Sequence, residues 1–171
     1  GKVSWKVDRN YTCGRETAQS YTTPLVVNDG DRTTLVVWGA DNLTGHDAAT
    51  GELVWSYSGF NPTKRPAWRT IASPVISQGI IVVPYGRGKH LAAMKSGGYI
   101  NMTEKEWLWI KSGIGTDVAT PVVSKGKMYI LGFNGTNWCI DVLTGEELWQ
   151  ATLPAGSGSY FSSPTLAGDK L

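Results

Sequence analysis

The chain is poor in the residues that build metal and redox sites. Its 171 residues hold two cysteines and two histidines. Cys13 and Cys139 stand far apart with no Cys-x-x-Cys spacing, which excludes a zinc ribbon and a thioredoxin-type pair. They can be read as a disulfide in an oxidising compartment or as two separate buried thiols. His46 and His90 each lie beside glycine-containing turn sequence, with no second His or Cys at ligand spacing, so both read as ordinary structural histidines. Charge is scarce as well. Asp, Glu, Lys and Arg make up 18% of the chain and balance to +2, and the basic residues are scattered, which gives no electrostatic case for nucleic acid. No apolar run approaches the ~20 residues of a transmembrane helix. No window sustains the 3.6-residue period of an amphipathic helix.

What the chain has instead is glycine (21), tryptophan (8) and a hydrophobic fraction of 41%, enough for a core. Short strands joined by tight turns suit that composition. The strands repeat. Thr23-Pro24-Leu25-Val26-Val27 recurs as Ser73-Pro74-Val75-Ile76, Thr120-Pro121-Val122-Val123 and Ser163-Pro164-Thr165-Leu166, with prolines 50, 47 and 43 residues apart. A second marker follows at Thr50-Gly51-Glu52-Leu53-Val54-Trp55 and Thr144-Gly145-Glu146-Glu147-Leu148-Trp149, and Gly1-Lys2-Val3-Ser4-Trp5 is the same marker entered at its glycine. Internal periods in the forties point to a repeat architecture.

Within a repeat, Ser/Thr-Pro opens a first apolar run, since proline is tolerated at a first strand position. A polar turn leads to a β-branched second run, such as Ile80-Ile81-Val82-Val83. A third run ends at Asp47 or Asp141, and Asp-x-x-Thr-Gly closes the last hairpin: the Asp accepts turn amides and Gly51 or Gly145 supplies the positive φ. Four antiparallel strands in forty-odd residues make one propeller blade. Trp55 and Trp149, on the fourth strand, are expected to wedge between adjacent blades with the indole N–H on a neighbouring carbonyl, each truncation costing roughly 3–5 kcal/mol. The middle repeat departs from the pattern. Lys95 stands where Asp is expected, and Ser96-Gly97-Gly98-Tyr99-Ile100-Asn101 has no Thr-Gly, so an extended hairpin is expected there and Trp109 should dock less firmly.

The combination Asp-x-x-Thr-Gly-Glu-x-x-Trp with Ser/Thr-Pro resembles the tryptophan-docking repeat of the pyrroloquinoline-quinone (PQQ)-like β-propellers, a family of quinoprotein dehydrogenases, BamB-type lipoproteins and other secreted bacterial repeat proteins. The resemblance implies an all-β propeller segment of four-stranded antiparallel blades. Its expected parts are a remnant at 1–6, blades at 22–57, 72–110 and 119–150, and the start of another at 162–171. By that register the chain is expected to be a portion of a ring of seven or eight blades. Severed blade edges would then favour self-association or contact with the remaining blades. The docking set is Asp47, Thr50, Gly51, Trp55, Trp109, Asp141, Thr144, Gly145 and Trp149.

The resemblance also frames function. Quinoprotein dehydrogenases hold PQQ over the propeller axis with Ca²⁺ bound by acidic and amide side chains, a catalytic Asp, and often a disulfide between adjacent cysteines. This chain has no Cys-Cys, and Asp29-Gly30-Asp31 is more simply a turn than part of an oxygen-rich cluster. No catalytic, metal or cofactor residue is expected on that basis, and the chain reads as a non-catalytic scaffold for protein or glycan, placed by resemblance in the bacterial periplasm, at the outer membrane or outside the cell. A fragment of a PQQ-dependent dehydrogenase is the alternative. The expected binding surface is the axial rim formed by the loops before each first strand, with Tyr21, Arg69, Asp117 and Tyr160 as candidate residues. The Asn-x-Thr sequences at Asn10, Asn42, Asn101 and Asn134 are read as turn residues.

Overall fold

A computed structural model describes residues 1–154, 159–168 and 170–171. The first sheet holds β1 (Leu25–Asp29), β2 (Arg32–Gly39), β3 (Asn42–Asp47) and β4 (Leu53–Tyr57). The second holds β5 (Val75–Ser77), β6 (Ile80–Tyr85), β7 (His90–Lys95) and β8 (Trp109–Ser112). The third holds β9 (Val122–Ser124), β10 (Lys127–Leu131), β11 (Thr136–Asp141) and β12 (Glu147–Thr152). Each is an antiparallel meander in chain order. Among the described residues the one helical turn is a 3₁₀ turn at Glu104–Glu106, and no helix is long and apolar enough to cross a membrane. The architecture is an all-β propeller segment.

The middle sheet shows why the blades stack. Along β6 and β7 every second side chain faces the first sheet and the others face the third. Ile81, Val83, Ala92 and Met94 join Val36, Leu43, Trp55 and Tyr57 in one core. Ile80, Val82, Leu91 and Ala93 join Met128, Ile130, Ile140 and Val142 in the other. The continuous apolar runs of the sequence are strands buried on both faces.

Turn chemistry closes the outer hairpins. Asp47 Oδ1 accepts from the amides of Ala49 (2.9 Å) and Thr50 (3.0 Å), and Gly51 follows at φ +79°. Asp141 Oδ1 likewise accepts from the Thr144 amide (2.9 Å) and its hydroxyl (3.1 Å). Gly45 lies opposite Trp55 in the β3–β4 register, and a Cβ there would collide with the indole.

The inner strands are tied by a ladder. The Thr23 amide donates to Ser73 Oγ (2.9 Å), the Ser73 amide to Thr120 Oγ1 (3.0 Å), and the Thr120 amide to Ser163 Oγ (2.9 Å). The Ser/Thr of the second, third and fourth Ser/Thr-Pro is therefore the hydroxyl that satisfies the amide of the preceding repeat. The start of another blade expected at 162–171 includes Asp169, outside the described residues; Ala167 and Lys170 form an isolated antiparallel bridge.

Blade 2 is built differently. Instead of turning tightly after Lys95, the chain leaves β7 and runs up the outer edge of β4 in the first sheet. The Ser56 amide donates to the Tyr99 carbonyl (3.2 Å), Met102 to Ser56 (2.8 Å) and Ser58 to Met102 (2.9 Å). The Asn101 amide donates to Ser56 Oγ (2.8 Å). The expected extended hairpin at 96–101 is thus a strap across two blades.

Candidate functional site

The docking residues occupy unlike surroundings. Trp5 Nε1 donates to the Ala48 carbonyl (2.9 Å), and its ring lies over Gly51. Trp109 Nε1 donates to the Val142 carbonyl (3.0 Å) over Gly145. Trp109 thus makes the inter-blade bond it was expected to make weakly, because the turn that receives it belongs to the regular third blade rather than to its own irregular one. Trp55 is 2% exposed and wedged in the first core, without a hydrogen bond to a carbonyl of blade 2. Tyr57 supplies the inter-blade bond there, its hydroxyl donating to the Lys95 carbonyl (3.2 Å). Burial, with the Glu106 charge second, pushes that phenol up to about 12. Trp149, expected to be a buried wedge, is 43% exposed: β12 presents every residue to solvent and no described residue covers that face as blade 3 covers Trp109.

The meander brings the starts of the inner strands, the turns between second and third strands, and the ends of the outer strands to one end of the array. Tyr21, Arg69 and Asp117 meet there. The Tyr21 amide donates to the Thr70 carbonyl (3.0 Å), and Arg69 Nη2 reaches Asp117 Oδ2 at 3.4 Å. Arg87, in the β6–β7 turn, approaches the same oxygen at 3.7 Å. Sequence reading missed Arg87 because it sits in a short turn with no charge pattern; its position in the repeat, at the rim end, was the available signal. Arg69 Nε and Asp117 Oδ1 are buried without hydrogen-bond partners among the described residues. Tyr21 is 64% exposed, its hydroxyl donating to Gln19 Oε1 (3.0 Å). Tyr160 is held against blade 3: its hydroxyl donates to the Pro154 carbonyl (3.1 Å), its amide to the Phe133 carbonyl (3.0 Å), and its ring covers Gly135.

The histidines and cysteines have structural surroundings. His46 is buried, its ring nitrogens 3.1 Å from the Gly51 carbonyl and from Thr44 Oγ1. His90 Nδ1 lies 3.0 Å from Ser112 Oγ, and burial, then the Lys89 charge, lowers its pKa below the usual imidazole value. Cys13 and Cys139 are free thiols.

PQQ with Ca²⁺ would need a cluster of oxygen ligands at the rim. Among the described residues no three Asp, Glu, His or Cys side chains converge, and the rim carboxylate of Asp117 is engaged by two guanidinium groups. The residues present do not fit that ion.

Over all 171 residues the chain matches the family described as outer membrane protein assembly factor BamB. It belongs to the BamB family. No curated protein matches it. Among solved structures it is similar to Sqt1 of Saccharomyces cerevisiae (15% identity, TM-score 0.62, 84% of this chain and 41% of that one). It is similar to a europium-containing methanol dehydrogenase (15%, 0.61, 87% and 38%) and to the quinohemoprotein alcohol dehydrogenase ADHIIG of Pseudomonas putida HK5 (18%, 0.58, 82% and 21%). The chain spans well under half the length of each. At these identities the likeness establishes the propeller fold, which carries enzymes and other proteins alike.

Proposed function

We propose that this BamB-family chain is a non-catalytic propeller scaffold of the bacterial envelope whose rim binds protein, in keeping with the assembly role in the family's description. The observation that carries this reading is the rim itself. The Asp117 carboxylate is paired through Oδ2 with Arg69 and Arg87, which fixes a compact charge cluster at the rim, while Tyr21 projects into solvent. Tyrosine and arginine are residue types enriched among interface hot spots.

A PQQ-dependent dehydrogenase is tested by adding PQQ and Ca²⁺ to the protein. The scaffold reading predicts an unchanged melting temperature and no dye-linked alcohol oxidation. A ligand that binds only the folded state must raise its stability, so a saturable upward shift with oxidation of alcohol would overturn it.

A further inference from the structure

The departure of blade 2 from the repeat has a consequence at the rim end. The strap carries Glu104 and Trp107 from the far end of blade 2 to the end where Trp68, Tyr85 and His90 stand, and together these five side chains line a cleft of about 260 Å³. Its rings are braced from below. Phe60, buried in the first core, contacts Trp107 (4.7 Å between centroids) and Tyr85 (5.5 Å). Tyr85 stacks on His90 at 5.0 Å, and Trp68 meets His90 at 5.6 Å and Tyr85 at 6.3 Å. Trp107 meets Tyr85 edge-on at 6.1 Å. The walls are therefore fixed before any guest arrives.

The geometry points to a site for an organic cation, the guanidinium or ammonium of a partner protein's Arg or Lys side chain. This rests on the protein-binding reading above and names the partner chemistry of one part of it. Three observations converge. The ring faces of Trp68, Tyr85 and Trp107 are electron-rich, and such rings attract cations. The Glu104 carboxylate lies against Gly59, so close that a Cβ there would stand 2.5 Å from Oε2, and it has no hydrogen-bond or ion partner among the described residues. Trp68 already engages a cation of this chain beside the cleft: the Arg65 guanidinium carbon is 5.7 Å from its ring centroid. The fifth wall does not oppose a cation, because burial and the neighbouring Lys89 keep the His90 imidazole neutral to lower pH than usual.

The test follows the indole N–H resonances of Trp68 and Trp107 by NMR while N-acetyl-arginine amide, N-acetyl-lysine amide, N-acetyl-norleucine amide and a methyl glycoside are added separately. Both cations should shift these two resonances saturably. The uncharged norleucine amide and the glycoside should leave them in place. Glu104→Gln should weaken cation binding roughly three- to five-fold. Trp68→Phe, which keeps an apolar ring with a weaker face, should weaken it with no loss of the folded spectrum. If norleucine amide shifts the resonances as strongly as the cations, the cleft is only an apolar groove and the proposal fails. It fails too if the glycoside alone shifts them, or if none of the probes does. Failure here with no response to PQQ and Ca²⁺ leaves the scaffold reading standing; PQQ-driven alcohol oxidation with intact cation binding removes the scaffold reading alone.

Discussion

Trp109 and Trp149 hold the same place in successive repeats, yet one donates to a carbonyl across a blade boundary and the other faces solvent. Side-chain environment, not repeat position, sets what each contributes. Trp55→Ala should destabilise by about 3–5 kcal/mol, Trp109→Ala by about 2–4, and Trp149→Ala by about 1 or less, in urea melts of this chain. Equal losses for Trp109 and Trp149 would contradict the burial argument. The turn aspartates make a second residue-scale prediction. Backbone amides of the turn hold the Asp47 and Asp141 carboxyls below the ordinary carboxylate range, those of Thr50 and Ala49 for the first and that of Thr144 for the second. A carboxyl with a depressed folded-state pKa contributes stability that is present above its unfolded value, near 4, and lost as pH falls through the lower folded value. The Asp47→Asn/Asp141→Asn variant should therefore melt below the parent chain at pH 6, and the gap should close towards pH 2. A gap that stays constant over that range would assign the effect to shape rather than charge.

At the scale of elements, the Ser/Thr ladder and the strap join one blade to the next. Ser73→Ala and Thr120→Val each remove the hydroxyl that satisfies an amide of the preceding repeat and should cost about 1 kcal/mol. Thr23→Val should cost much less, since the Thr23 hydroxyl receives no such amide among the described residues. Indistinguishable melts for all three would show that the ladder bonds contribute nothing. The hairpins at Asp47–Gly51 and Asp141–Gly145 were readable from sequence because their chemistry is local: acceptor, amides and glycine lie within five residues. The ladder was visible only as a recurring Ser/Thr-Pro, since each hydroxyl has its partner 43 to 50 residues away. The strap was not readable at all. Its bonds pair residues 99–102 with 56–58, and the missing Thr-Gly signalled a departure without its direction. At the rim, Arg69 and Asp117 were recognisable as opposite charges at equivalent loop positions. Arg87 and the aromatic cleft were not, because they converge from different loops.

For the whole molecule, three blades stack through two continuous cores and place one polar, partly aromatic end to solvent. We propose that this end works by binding protein, in keeping with the assembly role in the family's description. The most direct measurement is made in the source bacterium after deletion of the gene that encodes this chain, with outer-membrane β-barrel proteins quantified after complementation. That gene should restore their level, and a Tyr21→Ala/Arg69→Ala version, shown to be folded and equally abundant, should not. Full restoration by that rim variant, or β-barrel levels untouched by the deletion, would contradict the account.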